Sequence, residues 1–297
     1  MSRIFDALQR SKLEGAGFEF PLVSSLENDL APVAEVETND RVTNDVTRFK
    51  SLVLSASPES RLVCLTDPGS LAAEKFRFLA VRLRQLQRSS PLKTVLITST
   101  IPEEGKSMVS GNLAVSLVRR KRQKVLLLEG DLRRPVLADR FGLPKLDGLS
   151  EWLQKAPTPM TNIYHLEEAG LWFLPAGTPV ENPLELMQSG RLPALMAQLT
   201  AWFDWIVIDS PPVLPLADTS VWTRFTDGVL LVAREGTTRK RELQRGLRAL
   251  ERSQLLGVVI NSCVSADHSN YYQRYKRVDA PSSENVILSS SNPVGPQ

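Results

Sequence analysis

The sequence predicts an α/β protein with a doubly wound, mostly parallel sheet covered by helices on both faces. Three observations carry this expectation. Between Arg61 and Cys263, apolar runs of four to six residues alternate with helix-like segments, the pattern of strands buried on both sides. One such run leads directly into a loop ending Gly105, Lys106, Ser107, and a helical pattern follows at once. Two other runs end in acidic residues, at the strand edge where open α/β sheets bind their ligands.

In chain order the strands are expected at Leu62–Leu65, Thr94–Thr98, Val125–Leu128, Leu171–Leu174, Trp205–Ile208, Gly228–Ala233 and Leu256–Ile260. Helices are expected at Ala72–Gln87, Ser107–Arg120, Glu185–Phe203 and Thr238–Arg252. These elements make one domain over residues 61–263. Residues 1–60 read as a short amphipathic helix, with Ile4, Phe5, Leu8 and Leu13 at helical spacing, followed by a linker. Residues 264–297 read as a polar tail that carries three of the four tyrosines.

Composition narrows the chemistry. The 36 Lys plus Arg against 33 Asp plus Glu leave a formal charge of +3, which does not call for nucleic acid as a partner. The aliphatic run Val229–Ala233 holds five residues, far below the roughly 20 that cross a bilayer. The N-terminus has no apolar signal core, so a cytoplasmic location is expected. Cys64 and Cys263 form no disulfide framework, and His165 and His268 have no metal-ligand spacing. Carboxylates and lysines must therefore carry the chemistry. The basic run at residues 119–124 reads as solvated surface. The helix bearing Arg239, Lys240, Arg241, Arg245, Arg248 and Arg252 leaves DNA binding open.

The segment TVLITSTIPEEGKS, Thr94 to Ser107, has the strand–loop–helix layout of a P-loop whose first glycine is replaced by Thr100. Backbone N–H groups from Glu104 through Gly105 to Met108 are expected to point at phosphate oxygens, with the helix dipole favouring the negative charge. Lys106 is expected to bridge the β- and γ-phosphates of ATP, and the Ser107 hydroxyl to ligate Mg²⁺. A nucleotide-bound Mg²⁺ also needs carboxylates from neighbouring strands. Glu129-Gly130-Asp131 and Asp209-Ser210-Pro211-Pro212 end two such strands, which makes Asp131 and Asp209 the candidates. The fold expected is thus a P-loop NTPase with deviant Walker motifs.

These segments resemble the bacterial tyrosine kinase family, the capsular and exopolysaccharide autokinases. The resemblance rests on PEEGKS, LLLEGDLRRP and WIVIDSPPVLPLADT, supported by FGLPKLDGLSEWL, LPAGTPVENPLELMQS and TDGVLLVAREGTTRK. It implies an ATP- and Mg²⁺-dependent protein-tyrosine autokinase that phosphorylates Tyr271, Tyr272 and Tyr275 in trans and regulates exopolysaccharide synthesis or export. It further implies that Glu129 accepts the tyrosine proton and that Asn261 contacts the adenine. The implied partners are a transmembrane polysaccharide co-polymerase-type adaptor that recruits the kinase to the inner face of the membrane, further copies of the chain in a nucleotide-dependent oligomer, and a cognate tyrosine phosphatase. Several positions depart from the family pattern. Glu129 stands where aspartate is usual, Glu103 where glycine is usual, and Ala80 takes the place of the third residue of an E-x-x-R-x-x-R helix begun by Glu74 and Arg77. Glu103 is expected to avoid φ > 0. Two alternatives remain open: a partitioning-type ATPase, and a catalytically weak scaffold that assembles on nucleotide.

Overall fold

The computed structural model describes residues 46, 49–118, 123–155, 160–215, 217–251 and 254–262. Eight strands form a single sheet among these residues: β1 (Lys50–Leu52), β2 (Thr94–Ser99), β3 (Val125–Glu129), β4 (Tyr164–Leu166), β5 (Leu171–Leu174), β6 (Trp205–Asp209), β7 (Gly228–Arg234) and β8 (Leu255–Asn261). Their spatial order is β1-β4-β5-β3-β6-β2-β7-β8, parallel throughout except for the β4–β5 pair. The helices are α1 (Val63–Thr66), α2 (Leu71–Ser89), α3 (Lys106–Val118), α4 (Leu137–Arg140), α5 (Leu149–Gln154), α6 (Pro183–Met187), α7 (Leu192–Trp202), α8 (Asp218–Thr223) and α9 (Lys240–Ala249).

The apolar strands are explained by burial on both sides. Successive side chains point to opposite faces. Val95, Ile97, Val125, Leu127, Trp205 and Val207 pack with Leu83 of α2 and Leu113 and Leu117 of α3. The alternate residues Leu96, Leu126, Leu128, Ile206 and Ile208 pack with Leu195 and Leu199 of α7 and with Trp222 of α8. A strand with both faces covered has no position left for a polar residue until it reaches its end. The acidic residues Glu129 and Asp209 stand at those ends, directly opposite each other in the β3–β6 register.

The fold corrects the sequence reading in four places. Leu62–Leu65 is not a strand: Val63–Thr66 is a single helical turn lying on α3. Four apolar residues carry no periodicity that separates strand from helix. The choice is made by Asn112 of α3, whose Oδ1 accepts from the Cys64 amide at 2.9 Å and whose Nδ2 donates to the Arg61 carbonyl at 2.9 Å. The segment assigned to the linker contributes β1, which pairs in parallel with β4, and Val46 and Phe49 join the core. β1 and β4 are each three residues long and mostly unburied, so neither has an apolar signature. The single helix expected at Glu185–Phe203 is two, α6 and α7, separated by a turn in which Gly190 has φ +80°. Glu103 does adopt positive φ, at +67°. The N-terminal helix, most of residues 119–124, and Tyr271, Tyr272 and Tyr275 lie outside the described residues. No helix among the described residues is long and apolar enough to cross a membrane.

Candidate active site

The P-loop follows β2, a strand with β6 on one side and β7 on the other. Its shape is set from inside. The Glu104 side chain is fully buried, and its carboxylate accepts from the Ile101 amide at 2.9 Å and from the Thr238 hydroxyl. Glu104 therefore braces the loop with its side chain rather than offering it to a ligand. Gly105 has φ +93°, and a Cβ there would lie 2.2 Å from Asn261 Nδ2, so both its conformation and its close neighbour require glycine. Asn261, at the end of β8, donates from Nδ2 to the Glu104 carbonyl at 2.9 Å, and its Oδ1 accepts from the Ser262 amide at 2.8 Å. The carbonyl of Glu103 accepts from Arg234 Nη1 at 3.5 Å.

Three strand ends converge at the start of α3. Lys106 Nζ donates to Asp131 Oδ2 at 2.9 Å and to Ser107 Oγ at 3.2 Å, and lies 3.7 Å from Asp209 Oδ2. Ser110, one turn further along α3, donates to Asp209 Oδ1 at 3.1 Å. Asp131 Oδ1 accepts from the Arg134 amide at 3.1 Å. Burial by itself drives Lys106 down, but the charges of Asp209 and Asp131 reverse this and hold it above its ordinary value. Burial pushes Asp209 above the usual carboxylate range, against the pull of Lys106.

Asp209 Oδ2 is buried and has no hydrogen-bond partner. An orphaned carboxylate oxygen beside a hydroxyl and a second carboxylate is a donor set suited to a hard divalent cation. Among the described residues no cluster of three His, Cys, Asp or Glu side chains could hold a metal by itself. A cation here must complete its shell with phosphate oxygens or water, as Mg²⁺ does. Ser107, Asp131 and Asp209 are the residues that could hold it.

Glu129 is not brought into this group. Its Oε1 accepts from the Val136 and Leu137 amides, both at 2.6 Å, and its Oε2 from the Ala176 amide at 3.2 Å. It is 1% exposed, and burial above all, opposed by these amides and reinforced by Asp209, raises its pKa to about 7. A pKa near neutrality would suit a general base, but geometry comes first, and both oxygens are occupied by backbone. The extra methylene that distinguishes Glu129 from the family aspartate is what lets it span these two loops.

Lys106, Ser107, Met108 and Asp131 line a cleft of about 740 Å³, with Asn261 and Arg234 towards β7 and β8 and Arg61, Arg134 and Arg140 on the β3 side. Sequence reasoning gave no role to three residues that shape it. Arg133 is held by a bidentate pair with Asp218, at 2.6 and 3.2 Å. Trp222, fully buried, donates from Nε1 to the Gly130 carbonyl at 3.1 Å. Ser110 holds Asp209. The segments RRP and LPLADT were legible as motifs, but no spacing rule joins Arg133 to a residue 85 positions away.

The strand–loop–helix anion cradle, its lysine and the two flanking carboxylates define a P-loop NTPase. No protein-family model matches the chain. It is 32% identical over 215 residues to the tyrosine-protein kinase YwqD of Bacillus subtilis, which covers 72% of this chain and 90% of that protein. Among solved structures it is similar to the chimerical protein CapA2B2, with 31% identity, a TM-score of 0.64, and coverage of 71% of this chain and 92% of that one. The kinase domain of the Escherichia coli tyrosine kinase ETK matches at 28% identity and a TM-score of 0.63, covering 69% of this chain and 82% of that one. The chain belongs to the bacterial tyrosine-protein kinases.

Proposed function

We propose that this kinase transfers the γ-phosphoryl group of ATP to Tyr271, Tyr272 and Tyr275 of a second copy of the chain. The observation that carries this reading is the meeting of Lys106 with Asp131 and Asp209 at the floor of one cleft. Lys106 and the amides from Gly105 to Met108 stabilise the charge spread over the transferred group, and the loose transition state asks for little more than this and correct positioning. Bound Mg²⁺ supplies Lewis-acid neutralisation of the phosphates, with Ser107, Asp131 and Asp209 as its protein ligands. Asn261 stands at the adenine end and holds the P-loop there. The tyrosine proton, with an ordinary pKa near 10, is released to solvent as the phosphoryl group arrives, and Glu129 positions the segment that carries Asp131.

Phosphorylation adds about −1.5 to −2 charges per tyrosine beside Arg274, Lys276 and Arg277 and so switches self-association. A transmembrane adaptor of the polysaccharide co-polymerase type recruits the kinase to the membrane, and a cognate phosphatase resets it, which places its action in exopolysaccharide production. Purified protein given labelled ATP and Mg²⁺ should acquire phosphotyrosine, and changing Tyr271, Tyr272 and Tyr275 together to Phe should remove most of it. Label recovered only as free phosphate would instead favour an ATPase of the partitioning type.

A further inference from the structure

The β3 side of the cleft carries a concentration of positive charge, from Arg61, Arg134 and Arg140. Arg61, at φ +58°, follows the Pro58–Ser60 turn in a left-handed conformation costly for a residue other than glycine. Its strained backbone sets it on the cleft wall with Arg134 and Arg140. Arg140 donates from Nη1 to the Ser60 carbonyl at 2.8 Å, while its Nε is buried without a hydrogen-bond partner. Burial and the nearby charge of Arg61 depress the Arg140 guanidinium, although Asp209 opposes them. Arg61 and Arg134 are exposed, and among the described residues neither side chain has a hydrogen bond or an ion pair. Arg133, by contrast, is neutralised by Asp218. The sheet order separates this group from the β7–β8 end of the cleft, because β3 and β8 lie on opposite sides of the P-loop strand β2.

We propose that Arg61, Arg134 and Arg140 form an anion subsite for the acceptor peptide, taking a phosphate or carboxylate group next to the tyrosine that is phosphorylated. Arginine is suited to this, because its planar fork binds either oxyanion in bidentate fashion. The proposal deepens the kinase reading and rests on it. It also gives the charge of the chain's own tail a meaning. Residues 268–278 contain Arg274, Lys276 and Arg277 and no acidic residue, so an unmodified tail meets an arginine wall with like charge. The first phosphate reverses that sign locally, and a phosphotyrosine held by the wall presents its neighbour for transfer. The first phosphorylation is therefore slow and primes the later ones.

The test uses the full chain carrying Tyr271, Tyr272 and Tyr275 changed to Phe, saturated with ADP and Mg²⁺ so that the P-loop is occupied. Fluorescein-labelled peptides of residues 268–278 are titrated by anisotropy: unmodified, with phosphotyrosine at 271, and with glutamate there. The phosphopeptide should bind at least about 10-fold more tightly than the unmodified one, and the paired changes Arg61→Gln and Arg134→Gln should cut that preference below about 2-fold. Equal binding of the two peptides, or a preference that survives both substitutions, overturns the subsite. A glutamate peptide that matches the phosphopeptide identifies acidic substrates as a natural source of the anion; one that binds like the unmodified peptide restricts the subsite to phosphotyrosine. Transfer from ATP to Tyr272 and Tyr275 is then measured separately. Intact preference without transfer overturns the kinase reading and leaves the subsite standing, whereas transfer at equal rates to primed and unprimed peptides overturns the priming.

Discussion

The two loops that close the cleft do comparable work by different means. The P-loop after β2 takes its shape mostly from adjacent residues: Glu104 holds the Ile101 amide, Gly105 supplies the left-handed turn, and Lys106 and Ser107 begin α3, while Thr238, Arg234 and Asn261 brace it from outside. The loop after β3 is held from a distance. Glu129 grips it through the Val136 and Leu137 amides and ties it to Ala176, Trp222 supports Gly130 from below, and Asp218 fixes Arg133. A Cβ on Gly130 would come within 2.8 Å of the Trp222 ring and 2.9 Å of the Asp209 carbonyl. A loop that positions a ligand by its own backbone leaves a local motif, whereas a loop positioned by remote side chains leaves its causes scattered along the chain.

The largest effect expected is on the first loop. Lys106→Met should reduce phosphotyrosine formation by about 10²- to 10³-fold, the usual cost of losing one preorganised charge-stabilising donor, while the P-loop backbone remains. Turnover within 10-fold of the parent would show that the loop amides suffice without the lysine.

The second loop should respond to pH. Glu129 titrates at about 7 in the fold against 4.5 in its absence, so between these values the native state holds a proton that the unfolded chain has released. Its contribution to stability therefore declines as pH rises from 4.5 to 7 and is constant above. The stability difference between the parent and Glu129→Gln should shift by up to about 3 kcal/mol in favour of the variant across that window, measured by urea unfolding. A difference independent of pH would mean that Glu129 is not buried as described.

Shortening the same residue tests its reach. Glu129→Asp restores the family's usual residue, and from the motif alone turnover should rise. The structure reverses that expectation: the shorter side chain cannot serve both loops, and stability should fall by about 2 kcal/mol with a parallel loss of kinase activity. Higher turnover would return Glu129 to the role of proton acceptor. The smallest effect belongs to Glu103→Gly, which relieves a non-glycine residue at φ +67° and should stabilise the protein by about 1 kcal/mol with little change in rate.

Much of this site was legible in the sequence. Lys106, Ser107, Asp131 and Asp209 were identified by residue type and by position at strand ends, and the structure brings all four together. Glu129 differs from the expectation of a proton acceptor facing the acceptor tyrosine, because its carboxylate instead satisfies backbone amides.

What the sequence determined by itself is the alternation of doubly buried strands and helices, the cradle at Gly105-Lys106-Ser107, and the acidic strand ends, because each is encoded within a few residues of continuous chain. Tertiary structure alone decided which way Glu129 turns, that the Cys64 segment lies on α3 as a helix, and that Arg61 shares one wall with Arg134 and Arg140. Those outcomes depend on which backbone groups and charges become neighbours once β3, β6 and β2 lie side by side, and spacing along the chain does not record that.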